Sequence, residues 1–188
     1  MPLSPSVERE ELHHRSVSLK VYRRKDGLYD AEAHLVDTKP FPFQRFDHPA
    51  PIPAGQPAHD FWLRLVVDEQ YTIQAIEVAP DTTAFHHCPG AVAPLSALVG
   101  ARIGKGWSKI LRERLAREDN CTHLVELMQP LASALLIGMR GARPYAIRFP
   151  EGGGPTQIDT CHAWSAEREL IVRYWPEHQR KAGAKPSP

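Results

Sequence analysis

The sequence predicts an α+β domain, a mainly antiparallel sheet made of two hairpins and packed against two or three C-terminal helices. Three observations carry that reading. Apolar residues alternate at period two along two stretches of the N-terminal half, a strong turn signal divides the first stretch, and after Cys88 the apolar period lengthens to that of a helix. Strands first and helices later, without alternation, is the α+β order.

The first hairpin spans His14 to Asp37. Val17, Leu19 and Val21 share one face, and Asp26-Gly27 supplies the turn before "LYDAEAHLVD" returns. From Thr38 to Asp60 the text "TKPFPFQRFDHPAPIPAGQPAHD" holds too many prolines for a helix or a central strand. A loop of that length is either a connector between sheet segments, the favoured reading, or a lid. The second hairpin follows as "FWLRLVVDE" and "TIQAIEVAP", with Phe61, Leu63, Leu65 and Val67 alternating and Ile73 and Ile76 to Val78 answering.

Beyond Cys88, "PLSALVG" reads as a short helix stopped by Gly100. Ile103, Trp107, Ile110 and Leu111 then repeat at helical spacing, and a third helix from about Cys121 carries the stripe Cys121, Leu124, Met128, Leu131 and Leu135. Pro130 lies inside it, which predicts a kink or break near Gln129. A short strand "YAIRF", a flexible "EGGGP" and "ERELIVRYW" complete the chain. The expected organisation is a flexible N-terminus over 1–12, a single domain over 13–178 and a disordered tail over 179–188.

Composition narrows the functional classes. With 188 residues, 42% of them hydrophobic and 24% charged, the chain is long enough to bury a core. A formal net charge of +1 leaves no cationic excess to neutralise phosphates, which argues against nucleic acid. The longest apolar run, "LASALLIGM", is roughly half the ~20 residues of a membrane span, so no membrane partner is expected. The polar, acidic start lacks a secretory pattern, and 3 cysteines, an odd number, suit reduced thiols better than a disulfide framework. The expectation is a soluble, cytoplasmic protein. Its four tryptophans, Trp62, Trp107, Trp164 and Trp175, read as core and rim residues, since no basic groove accompanies them.

Motifs of common chemistry are missing. "GARIGKGW" fails as a phosphate loop, because only three residues separate Gly100 from Gly104 and no Ser or Thr follows Lys105. No G-x-S-x-G, H-E-x-x-H or C-x-x-C occurs. Of the adjacent pairs His13-His14 and His86-His87, at most one member faces a given site if the backbone is extended. The cysteines carry what chemistry there is. Cys88 sits in the open break "FHHCPG". Cys121 follows Asp119 and Asn120, good capping residues, so its sulfur falls near the positive end of a helix dipole, a setting that favours thiolate. Burial in the apolar stripe is the plain alternative for Cys121, as packing is for Cys88 and Cys161. Cys121 and His123, two positions apart, share an ion only if Cys121 occupies an irregular cap.

The runs "HHRSVSLKVYRRKDGLYDAEAHLVDTKP", "LVGARIGKGW" and "CTHL" together resemble an uncharacterised bacterial family, domain of unknown function 2889, which implies no activity. The segment from Asp60 to about Leu136 resembles the U-type iron-sulfur cluster scaffold proteins, through "LRLVVDEQYTIQAIEVAP", "HHCPG", "PLSALVG", "ARIGKGW" and "NCTHLVELM". That second resemblance implies a scaffold-like fold with Cys88 as the middle and Cys121 as the last cysteine of one site. The first scaffold cysteine is absent, leaving His59 and Asp60 near its place, and Asn120 stands where the scaffold has a histidine. The implied metal set is His59, Cys88 and Cys121 with His123 or Asp60 as fourth, suiting zinc before an iron-sulfur cluster.

Three functions compete on this reading. The first is a non-catalytic metal carrier or assembly partner. The second is an enzyme in which zinc, or a thiolate at Cys121 as catalytic residue, acts on a small molecule. The third is a subunit that binds another protein. Self-association is left open.

Overall fold

The structure is a computed structural model that describes residues 4, 6–46, 49–115, 117–143 and 157–180. The chain forms two compact units, Met1–Met139 and Arg140–Pro188. In the first unit, strands β1 (His14–Arg23), β2 (Tyr29–Thr38), β3 (His59–Val67) and β4 (Ile73–Thr82) form one antiparallel sheet in sequence order. The α+β class and the two hairpins are as expected. Residues 6–12 are exposed and lie outside any strand or helix.

The first turn forms where Asp26-Gly27 places it. Gly27 has φ +87°, and the Arg24 amide donates to the Leu28 carbonyl at 2.9 Å. Glycine, having no Cβ, takes the positive φ that such a turn requires without steric cost. The proline-rich stretch joins β2 to the neighbouring β3. It is pinned by a bridge between Phe43 and Ile52, and the Gly55 and Ala58 amides donate to the carbonyls of Lys39 and Asp37.

A 3-10 helix over Cys88–Leu98 follows, then helix α1 (Trp107–Arg114), a short 3-10 turn over Arg117–Asp119, and helix α2 (Thr122–Gly141). Gly106, at φ +86°, turns the chain into α1 as a tight entry. Prolines at the start and inside of Cys88–Leu98 remove amide donors, which accounts for 3-10 geometry where the sequence suggested an ordinary helix. The expected break in α2 does not occur. Pro130 and Glu126, whose carbonyl it leaves without an amide, both lie on the exposed side, where water can take the lost partner's place.

The core lies on one face of the sheet. Tyr29, Ala31, Ala33 and Leu35 of β2 and Phe61, Leu63, Leu65 and Val67 of β3 join Leu124, Leu127, Met128, Leu131 and Leu135 of α2. Trp107 of α1 is buried there too, its indole N–H donating to the Met128 carbonyl at 3.2 Å. Alanines at 31 and 33 keep the sheet surface low at its centre. At Gly138 the helix runs so close to β1 that an added Cβ would meet Val21 side-chain carbons at 3.1 Å.

The second unit holds helix α3 (Glu169–Tyr174) and a 3-10 turn over Pro176–His178, after which Arg180 returns to pair with Asp159 at 2.7 Å. Cys161 is exposed there, not packed. The strand expected at "YAIRF", the "EGGGP" stretch and the last eight residues lie outside the described residues.

The Gly138 approach gives a stability prediction. Gly138→Leu forces a branched side chain against Val21 and should cost about 1–3 kcal/mol by chemical denaturation, whereas Gly138→Ala should fall near neutral, its helix propensity offsetting a slight crowding.

Candidate functional site

The site grows out of strand register. Period two places Tyr29, Ala31, Ala33, Leu35 and Asp37 on one face of β2, and all five are buried. The last is a carboxylate, 1% exposed, in phase with an apolar stripe. Its direct partners across the sheet are Arg15 on β1 and His59 on β3, so the three form one row on the core face.

Arg15 grips Asp37 with its fork, Nε donating to Oδ1 at 2.7 Å and Nη2 to Oδ2 at 2.8 Å. Its remaining Nη1 donates to Oε2 of Glu126 on α2 at 3.2 Å. His59 Nδ1 lies 2.9 Å from Oδ2, and because an ionised carboxylate only accepts, that nitrogen carries the proton. His13, two residues before Arg15 and on the same face, brings Nε2 to 3.3 Å from Oδ1. It is the member of the His13-His14 pair that faces the cluster.

The helix supplies the fourth side. The Cys121 carbonyl accepts the Val125 amide at 3.1 Å, so Cys121 is the capping residue and His123 lies in the first turn of α2. His123 Nε2 stands 3.9 Å from Asp37 Oδ2, and its ring packs 4.1 Å from that of His59. The irregular cap brings Cys121 Sγ to 3.7 Å from His123 Nδ1, the condition under which two residues that close in sequence can meet.

Charge follows from this packing. Burial opposes ionisation of Asp37, but the hydrogen bonds and charge of Arg15, with the bond from His59, outweigh it and hold the carboxyl at about 2. Burial pushes the imidazole of His59 below its ordinary value against the pull of Asp37. Burial likewise lowers His123, helped by His59 and Arg15. Both rings are therefore neutral near pH 7, the form that can donate a lone pair to a metal.

Among the described residues, Asp37, His59 and His123 bring one ligand atom each within 4.8 Å of one another. Of the residues the sequence nominated, His59 and His123 belong to this group. Cys121 borders it through His123. Cys88 is half-buried at the start of its 3-10 helix and is no member of the group. Asp60 points to the other face of the sheet, where its Oδ1 lies 2.7 Å from His34 Nε2. Sequence reasoning missed Asp37 and Arg15. The signal was available in "LYDAEAHLVD", where a carboxylate continues the apolar phase of a strand and so demands a buried cationic partner.

A sheet whose core face ends in a carboxylate and two imidazoles, one of them delivered by a helix cap, defines an α+β protein with a candidate oxygen–nitrogen metal centre. The chain belongs to the family described as "Protein of unknown function (DUF2889)", whose model matches residues 13–136, a span containing every residue of the cluster. No curated protein and no solved structure matches the chain, so the iron-sulfur scaffold resemblance gains no structural neighbour. Among the described residues, no helix is long and apolar enough to cross a membrane.

Two outcomes test the electrostatics. Asp37→Asn removes the charge that Arg15 pairs with and replaces one of the two accepting oxygens by a donor, and should lower stability by about 2–4 kcal/mol in urea unfolding. The pH profile follows from the signs. All three groups are depressed in the folded state, so each contributes stability above its unfolded value that is lost as pH falls through its folded value. Metal-free protein should therefore weaken first below about 6.5, as the imidazoles charge, and again between about 4 and 2, as Asp37 protonates. Thermal melting across that range checks the two stages, and Asp37→Asn should lose the lower one.

Proposed function

We propose that this protein binds a divalent transition metal, zinc foremost, through Asp37, His59 and His123, and serves to hold and hand on the ion. One observation carries the reading: two neutral imidazoles and a carboxylate converge within 4.8 Å. Nδ1 of His59, which becomes a ligand once its proton shifts to Nε2 on ion entry, and Nε2 of His123 lie 2.9 and 3.9 Å from the same oxygen of Asp37. Ligands about 2.1 Å from a tetrahedral ion stand about 3.3 Å apart, so the two distances bracket what is needed. Arg15 holds both oxygens of Asp37, Oδ1 through Nε and Oδ2 through Nη2, which leaves Oδ2 one lone pair for a single bond to the ion. Three protein ligands leave the ion exchangeable and one position open, which suits transfer better than a closed structural site. Oxygen and nitrogen donors favour zinc over an iron-sulfur cluster, which prefers thiolates.

A second reading rests on a different observation. Cys121 Sγ, His123 and Asp37 stand in line, with 3.7 Å from sulfur to Nδ1 and 3.9 Å from Nε2 to Oδ2, the order of a nucleophile, its base and the base's orienting carboxylate. Under that reading the protein is a thiol enzyme acting on a small molecule.

Zinc content after purification without chelator separates the two. The metal reading expects one zinc per chain, retained in Cys121→Ser. Affinity should drop in His59→Ala and in His123→Ala by more than the roughly 10–100-fold that loss of an outer-shell partner costs. Metal-free protein in which iodoacetamide alkylates Cys121 faster than the exposed Cys161, with the rate falling in His123→Ala, would support the thiol reading instead.

A further inference from the structure

The sheet's other face carries a second set of side chains, unrelated to the Asp37 cluster. Register places Ser18, His34, Trp62 and Ala79 in one row across the four strands and Lys20, Glu32, Arg64 and Glu77 in the next. Trp62 is 44% exposed. Its indole stacks on His34 at 3.8 Å between centroids and 8° between planes, and His34 is held in turn by Asp60 at 2.7 Å. One face of the indole is thus covered and the ring is fixed. The opposite face looks towards β4, where the small residue is Ala79, and there a groove of about 220 Å³ is lined by Glu32, Trp62, Leu63, Arg64, Glu77 and Ala79.

The geometry points to this groove as a binding site for a neutral sugar ring stacked on the free face of Trp62. Three features select that ligand class. A rigid indole face takes a flat apolar surface, which the C–H face of a pyranose offers, and a preorganised ring loses little entropy on binding. The volume falls below the roughly 300 Å³ at which drug-sized pockets begin, so the groove itself embraces about one ring.

Charge supplies the third feature. Arg64 donates to Glu32 at 2.9 Å and to Glu77 at 2.7 Å, and Lys20 stands next to Glu32 in the same row, so the two cations and two carboxylates of the row balance and offer little net charge to attract an ion. Paired carboxylates keep free lone pairs and the guanidinium is partly open to solvent, so the rim presents acceptors and donors together, which is what ring hydroxyls need. Had Ala79 been a larger residue, the space beside the indole would be filled.

The test uses the full chain and methyl hexopyranosides (the β-glucoside, β-galactoside and α-mannoside) as probes, with benzoate and N-methylpyridinium as charged flat rings. Indole N–H resonances are followed by NMR, Trp62 being assigned from Trp62→Phe. At least one hexoside should shift the Trp62 resonance with a saturable, millimolar constant. The constant should rise at least tenfold in Trp62→Ala and in Ala79→Leu, both at exposed positions whose unchanged melting temperatures would show an intact fold. Absence of a saturable shift with any hexoside, unchanged affinity in both variants, or saturation only by the charged flat rings would overturn the assignment.

Discussion

The pairing of Arg15 with Asp37 is the constraint on which the rest of this structure depends. A carboxylate buried to 1% exposure inside an apolar sheet face is tolerable only if its charge is met by directed donors, and here a guanidinium fork and an imidazole meet it from the two flanking strands. That requirement also fixes register. A slip of one residue between β1 and β2, or between β2 and β3, would carry Arg15 or His59 to the opposite face and strand the charge. The same guanidinium reaches Glu126, so one cation joins three elements: the edge strand, its neighbour and the first turns of α2.

From that anchor the two faces of the sheet take separate tasks. The core face runs from Tyr29 and Val67 through alanine and leucine layers to Asp37 and His59, so its polar end is the place where the apolar cluster stops and the helix cap arrives. A site there inherits rigidity from the core below it, which is how a chemical group is held without dedicated machinery. On the open face, successive rows differ in kind, one aromatic and one of alternating charge, and neither shares a side chain with the buried cluster.

Much of this was legible in the residues alone. The alternation in "VSLKV" and "AEAHLV", the Asp26-Gly27 turn and the helical spacing after Cys88 each act locally, and local signals survive translation into structure. His59 and His123 were nominated through a resemblance that placed Cys88 and Cys121 at the centre of the site, and the structure sets the two imidazoles 4.1 Å apart beside Asp37. Asp37 escaped notice because its meaning depends on pairing between strands 22 residues apart in sequence, a non-local fact that periodicity within one strand only hints at. Pro130 shows the limit of a local signal, because whether a missing amide ends a helix depends on which side faces solvent, and α2 runs on through it.

Family membership over residues 13–136 covers the sheet, the cap and most of α2, which are the parts that build the cluster. We propose that an ion sits among Asp37, His59 and His123 without sulfur. X-ray absorption at the zinc edge of loaded protein reads that shell directly. The expected result is oxygen and nitrogen scatterers alone, with the outer-shell pattern of two imidazoles. A sulfur shell at about 2.3 Å, or a chain that takes up no zinc at all, would contradict it.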